Sequence, residues 1–177
     1  MKKIIASAAL LLASVSAPAF AQDAVPFSGP YVAGVVGLDH ADFTADIHDS
    51  NLLYGGIVGY DVNVNGAVFG VEGEYADSDA HKAGIHTDRD LYAGVRIGGE
   101  VAPNVMAYAK GGYTNARFED AAGVGSKLDG YRLGAGLETT FQGFITRVEY
   151  RYSRYETVAG NVNPERHQAA LILGYRF

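Results

Sequence analysis

Eight stretches of this chain alternate apolar and polar residues with a period of two, and the last of them runs unbroken to a terminal aromatic. In His167 to Phe177, Ala169, Leu171, Leu173, Tyr175 and Phe177 share one face, while Gln168, Ala170, Ile172, Gly174 and Arg176 share the other. Period-two alternation is the signal of a strand with two different surroundings. In a transmembrane β-barrel those surroundings are lipid and lumen. No window holds the roughly 18 uninterrupted apolar residues that a helical span requires, so a membrane crossing by this chain would use strands.

The other seven segments carry apolar faces at Tyr31, Ala33, Val35 and Gly37; at Leu52 through Val62 on even positions; at Phe69, Val71, Gly73 and Tyr75; at Leu91, Ala93, Val95 and Ile97; at Val105 through Tyr113; at Tyr131 through Phe141; and at Phe144 through Tyr152. Their connections alternate in length. Asn63-Val64-Asn65-Gly66, Ala102-Pro103-Asn104 and Gln142-Gly143 are tight turns, the first carrying the Asn-Gly hairpin signal. The connections near Asp39 to Asn51, Asp77 to Asp88, Asn115 to Lys127 and Ser153 to Glu165 are long and polar. Short turns on one rim, long loops on the other and an even strand number predict an eight-stranded antiparallel outer-membrane barrel, with both termini in the periplasm and four extracellular loops.

The opposite faces carry the charge. Glu72, Glu74, Arg96, Lys110, Arg132, Glu138, Arg147, Glu149, Arg151 and Arg176 all point, by parity, away from the apolar side. An eight-stranded interior is only wide enough for side chains, and a buried charge without a partner costs several kcal/mol. The expectation is a paired, charged plug and not an open pore, with a narrow pore as the alternative. Outward aromatics sort by height: Tyr31, Tyr60, Phe69, Phe141, Phe144, Tyr175 and Phe177 near the short turns, and Tyr54, Tyr75, Tyr113, Tyr131, Tyr150 and Tyr152 near the long loops. Two girdles at headgroup depth follow. A soluble lipocalin-like carrier would also have eight strands, but it would place Leu133, Leu137, Val148 and Leu171 inside and Arg132, Arg147 and Arg176 in water.

Met1-Lys2-Lys3, the apolar Ile4 to Val15 and Ala19-Phe20-Ala21 have the three parts of a secretory signal peptide. The expected organisation is a signal peptide at 1–21, a short lead at 22–27 and a barrel domain at 28–177. Cysteine is absent, so no disulfide or thiolate site is available in an oxidising compartment. Without Lys2 and Lys3, 12 basic residues face 20 acidic ones, a net charge of −8 that repels nucleic acid.

Chemistry, if any, would sit at the long-loop rim. His40, His48, His81, His86 and His167 fall in loops or at strand ends among many aspartates, a composition compatible with metal or haem capture. The spacings lack HxxxH and HExxH, and solvated loop polarity is the stronger account of them, so no metal or cofactor is assigned. Asp39, Asp42, Asp46 and Asp49 without a cation could gather divalent ions that bridge lipopolysaccharide phosphates. A lipid-acyl enzyme would need an activated serine, and Ser153 with His167 and Glu156 or Glu165 is the available set. No G-x-S-x-G elbow marks it, and no catalytic residue is assigned.

Phe27-Ser28-Gly29-Pro30-Tyr31-Val32-Ala33-Gly34, Gly55-Gly56-Ile57-Val58-Gly59-Tyr60, Val71-Glu72-Gly73-Glu74-Tyr75 and Leu171-Ile172-Leu173-Gly174-Tyr175-Arg176-Phe177 together resemble the small OmpA-like barrels, in particular the porin-family and opacity-type surface proteins of Gram-negative bacteria. The resemblance implies outer-membrane residence among lipid and lipopolysaccharide, a role in membrane integrity, surface antigenicity or adhesion, and host or cell-surface ligands as partners. It also implies that Tyr175 and Phe177 carry the signal read by the barrel-assembly machinery. Full-length OmpA proteins continue into a peptidoglycan-binding domain, which does not follow Phe177 here.

Overall fold

The computed structural model describes residues 26–42, 50–78, 81–82, 85–119, 125–155 and 165–177. Eight strands form the wall: β1 (Gly29–Asp42), β2 (Ser50–Val64), β3 (Ala67–Ser78), β4 (Ile85–Ala102), β5 (Val105–Glu119), β6 (Gly125–Phe141), β7 (Phe144–Tyr155) and β8 (Glu165–Arg176). A two-residue strand, His81–Lys82, pairs back on Ile85 and His86. Each strand pairs antiparallel with its sequence neighbour, and β1 also pairs with β8, from Tyr31 opposite Arg176 to Asp42 opposite Glu165. The sheet closes on itself and leaves no edge, the condition for strands to cross hydrocarbon.

Two of the tight turns place consecutive residues at positive φ: Asn65 (53°) with Gly66 (91°), and Gln142 (49°) with Gly143 (83°). This is the two-residue hairpin geometry whose twist matches the flanking strands. At Asn65-Gly66 the side chain of Asn63 helps, its Oδ1 accepting the Gly66 N–H at 2.8 Å. The third turn, Pro103-Asn104, follows a register shift between Glu100 and Ala102, with Asn104 at φ 60°.

Alternation decides burial. Along β7 exposed and buried residues alternate without interruption from Phe144 to Val148 to Tyr150 on one side and from Ile145 to Arg147 to Arg151 on the other. The exposed side is apolar in every strand: Val58, Val71, Val95, Leu133, Leu137, Val148 and Leu173 are all more than half exposed. Charged residues are buried instead, the reverse of a lipocalin-like carrier.

Two sequence expectations need correction. The apolar face assigned to β1 is inward: Tyr31 and Val35 are buried, whereas Val36 and Leu38 are exposed. Both faces of β1 are apolar, so alternation alone could not choose between them, and the Tyr31 hydroxyl finds its acceptor inside the barrel. Tyr31 therefore leaves the girdle near the short turns. The long connections are also shorter than expected, because the strands run on past the apolar band: β1 continues to Asp42, β3 to Ser78, β5 to Glu119 and β7 to Tyr155. Polar residues above the membrane keep the strand hydrogen bonds while losing the hydrophobic pattern that advertises them.

Candidate functional site

The lumen is filled by ions in register. Glu138 on β6 receives Arg147 Nε at 2.6 Å, Arg176 Nη2 at 2.8 Å and Arg96 Nη1 at 2.9 Å. Glu72 on β3 receives Lys110 Nζ at 2.7 Å, Arg147 Nη1 at 2.8 Å and the Tyr31 hydroxyl at 2.8 Å. Glu149 on β7 takes Lys110 at 2.8 Å, the Tyr108 hydroxyl at 2.5 Å and Arg151 Nε. Glu74 is held by Arg151 Nη1 at 2.6 Å and Arg132 Nη1 at 3.4 Å. Each carboxylate thus touches at least two cations contributed by different strands, and the wall is cross-braced through its own interior.

Three further charges join this set. Asp61 accepts from Arg96 Nε at 2.7 Å and from Arg176 Nη1 at 2.8 Å. Asp90 accepts from Arg132 and from Thr114 Oγ1, the latter at 2.7 Å, and lies 3.6 Å from Arg166 Nη1. Asp90 follows directly on the polar connection before Leu91, yet it is buried in the lumen, because β4 starts earlier than its apolar pattern does. Asp61 and Arg166 have inward parity but sit near strand ends, where charge reads as turn or loop. Glu100 is exposed at the short-turn rim, its Oε1 accepting the Asn104 N–H at 3.3 Å.

Aromatic rings interleave with these ions. Tyr31 has the guanidinium carbons of Arg147, Arg176 and Arg96 at 4.5, 5.0 and 5.1 Å from its ring centroid. Tyr92 has Lys110 at 4.8 Å and Arg132 at 5.4 Å. Such cation–π contacts strengthen when desolvated. The Tyr31 ring lies on Gly59, where an added Cβ would stand 2.3 Å from ring carbon Cζ, so a glycine in mid-strand is required there. Sequence parity had the means to find Tyr92 and Tyr108, which sit opposite the apolar face; only their aromatic character hid them.

The short-turn end of the lumen is closed by Phe27, wholly buried in a cluster with Val68, Met106 and Tyr108. Phe27 adopts φ 58°, and the segment is tied to the wall by Asn63 Nδ2 donating to the Pro26 carbonyl at 2.8 Å. The lead expected at 22–27 therefore ends as a cork; residues 22–25 lie outside the described residues.

At the long-loop rim, Ser153 and His167 face opposite sides of the wall. Ser153 is buried and its Oγ accepts from Arg132 Nε at 2.9 Å. His167 stands outside, its Nδ1 2.6 Å from the Tyr150 hydroxyl and its ring 5.2 Å from that of Tyr152. Because alternation sends odd positions of β7 inward and odd positions of β8 outward, the pair considered for acyl chemistry is separated by the sheet. His40 lies in β1 opposite His167, and His81 lies opposite His86; His48 and Glu156 lie outside the described residues. Among the described residues no group of three or more His, Asp or Glu is gathered for a metal ion. The two girdles are present, with Tyr175 packed edge-on between Phe144 and Phe177 at 5.4 and 5.2 Å near the short turns.

A closed wall, an apolar exterior and an ionic interior are what a lipid-embedded barrel requires, and comparison with known proteins agrees. No curated protein sequence matches the chain. Among solved structures, it is similar to neisserial surface protein A (TM-score 0.59, 16% identity, 85% of this chain and 98% of that one). It is equally similar to Ail, the attachment invasion locus protein of Yersinia pestis (0.59, 16%, 85% and 99%), also solved with the heparin analogue sucrose octasulfate. The N-terminal barrel domain of Pseudomonas aeruginosa OprF is a third (0.57, 16%, 83% and 97%). At these identities the likeness establishes the fold. The family model described as outer membrane protein beta-barrel domain matches residues 7–177, and the chain belongs to that family of outer-membrane barrels.

Proposed function

We propose that this chain is a non-enzymatic outer-membrane barrel that supports membrane integrity and displays surface loops for interaction. In this reading residues 1–21 are removed as a signal peptide. The short turns and both chain ends lie in the periplasm, and the four longer connections face outward, surrounded by lipopolysaccharide. Tyr175 and Phe177 serve as the insertion signal for the barrel-assembly machinery. The observation that carries the reading is the filled lumen: among the described residues, ion pairs occupy the interior and Phe27 is wholly buried at its short-turn end, which favours the outer surface and the long-loop rim as the working parts.

The loop charge narrows the partner. Ail has been solved with a sulfated heparin analogue, whereas here the run from the end of β1 to β2 carries Asp42, Asp46 and Asp49 with no Lys or Arg. A polyanion would be repelled, so the reading favours a cationic partner or one bridged by divalent ions. Deletion of the gene should sensitise cells to detergent and reduce surface binding. A barrel with shortened connections should restore the first and not the second. Steady ion conductance by the purified barrel in a planar bilayer, or full restoration of surface binding by the shortened barrel, would overturn the reading.

A further inference from the structure

The apolar exterior is not evenly filled. Two register rows cross the wall side by side: one runs from Tyr60 through Val71, Val95 and Gly111 to Leu133, the other through Val62, Phe69, Ile97 and Ala109. Between them lies a groove of about 580 Å³. Arg96 and Lys110 line it from beneath, their charged ends turned into the lumen, so the side open to the outside is apolar.

At its β5 end the groove is widened by a glycine that the wall itself does not demand. A Cβ on Gly112 would stand 2.3 Å from the Ala93 carbonyl oxygen, so that glycine is fixed by the neighbouring backbone. A Cβ on Gly111 would meet nothing closer than Leu133 Cδ2 at 3.2 Å, the end of an exposed side chain that is able to turn aside. Glycine inside a strand gives up packing and costs entropy. Here its effect is to leave room outside the molecule.

The room has the dimensions of one hydrocarbon chain. Four strand spacings of about 4.8 Å make the groove about 19 Å long. Strands tilted by about 35–45° let a groove across them climb roughly 12 Å, within the roughly 15 Å that is half of the hydrocarbon core. A methylene takes up about as much space as a water, roughly 30 Å³, so fewer than about twenty fit. A second copy of the barrel would need about 800 Å² on each partner, whereas a strip of this length and about 7 Å wide offers roughly a sixth of that. The low end of the groove, at Tyr60 and Phe69, lies in the girdle near the short turns, at headgroup depth.

We propose that this groove is a lipid seat that holds one acyl chain of a phospholipid, with the ester end beside Tyr60 and the chain passing over Ala109 and Gly111 to Leu133. The surface around it meets fluid lipid; at this position a bound chain restores the dispersion contacts that an empty groove forfeits. The inference rests on the reading that the short turns face the periplasm, the side on which phospholipid forms the leaflet.

The test uses the whole mature barrel, exchanged into mild detergent, titrated with dipalmitoylphosphatidylethanolamine and read by native mass spectrometry. One phospholipid should be retained. Gly111→Leu and Ala109→Phe, which fill the groove from outside, should lose it. Gly56→Leu, on the same outer face where a Cβ meets nothing within 4 Å, should keep it, and heat-modifiable migration on a gel checks that each variant is folded. If both groove variants misfold, phosphatidylethanolamine with a diazirine in mid-chain should crosslink the unmodified protein around Val95 and Gly111. No retained phospholipid, retention unchanged in both groove variants, equal loss in Gly56→Leu, a parent dimer that Gly111→Leu splits, or crosslinks spread evenly around the wall would overturn the proposal. Lipopolysaccharide retained in place of phospholipid would overturn it together with the orientation of the barrel. Cell sensitivity to detergent, which scores the membrane role, is a separate readout, so the two can fail independently.

Discussion

The two ends of the lumen are built on opposite principles. Toward the short turns, Asp61, Glu138 and Glu72 are each met by two or more hydrogen-bond donors, and Phe27 with Val68, Met106 and Tyr108 caps them with apolar surface. Toward the long loops, Gln168 is buried with neither amide atom hydrogen-bonded, and the hydroxyl of Tyr155 is likewise without a partner among the described residues. Buried polar groups need hydrogen bonds, from protein or from water. One end is therefore knit by ion pairs beneath an apolar cap, whereas the other holds a buried amide with no protein partner, and the same strands serve both through the side chains at their inward-facing positions.

The largest effect that would sharpen this contrast is at Arg147, wholly buried between Glu138 and Glu72. Arg147→Ala removes a cation shared by two buried carboxylates, and loss of one partner of a buried ion pair costs about 3–5 kcal/mol. The urea midpoint of the detergent-folded barrel should fall accordingly. Removing the cork comes next: Phe27→Ala should cost about 3 kcal/mol and, more tellingly, should make Met106, wholly buried in the parent protein, more readily oxidised by peroxide. Gly59→Ala forces a Cβ against the Tyr31 ring; overpacking of this kind costs about 1–3 kcal/mol, seen as a lower melting temperature with the strand content unchanged. Gln168→Ala should change stability by under about 1 kcal/mol, since neither amide atom has a protein hydrogen bond to lose. If Gln168→Ala proved as damaging as Arg147→Ala, the division into a braced and an unbraced end would fail.

Much of the wall was legible because β2 to β8 have one apolar and one polar face, and a period of two leaves no third choice. The tight turns were legible for the same local reason: Asn65-Gly66 and Gln142-Gly143 carry residues that tolerate positive φ. β1 was not, since Tyr31, Ala33 and Val35 are as apolar as Val32, Val36 and Leu38, and only the ring of Arg96, Arg147 and Arg176 from β4, β7 and β8 settles where the phenol goes. Asp61, Asp90 and Arg166 were missed because charge near a strand end looks like a loop. The cork at Phe27 depends on tertiary packing with Val68 and Met106, partners roughly 40 and 80 positions away in the sequence, and no local pattern records it. The opposed histidines need the register of the closing pair, which is a property of the finished sheet.

That closing pair also sets the order in which the molecule can assemble. Arg176 reaches the carbonyl of Gly29 across 147 positions, so the contact that turns an open ribbon into a cylinder joins its two most distant strands. Loop-closure entropy rises with separation, and long-range pairing is slow. Until the last strand docks, β1 and β8 present raw margins able to pair with any neighbouring chain. Once it docks, thermal fraying has no free border from which to begin. The hazard of this architecture is thus concentrated in its biogenesis, and its endurance afterwards is kinetic.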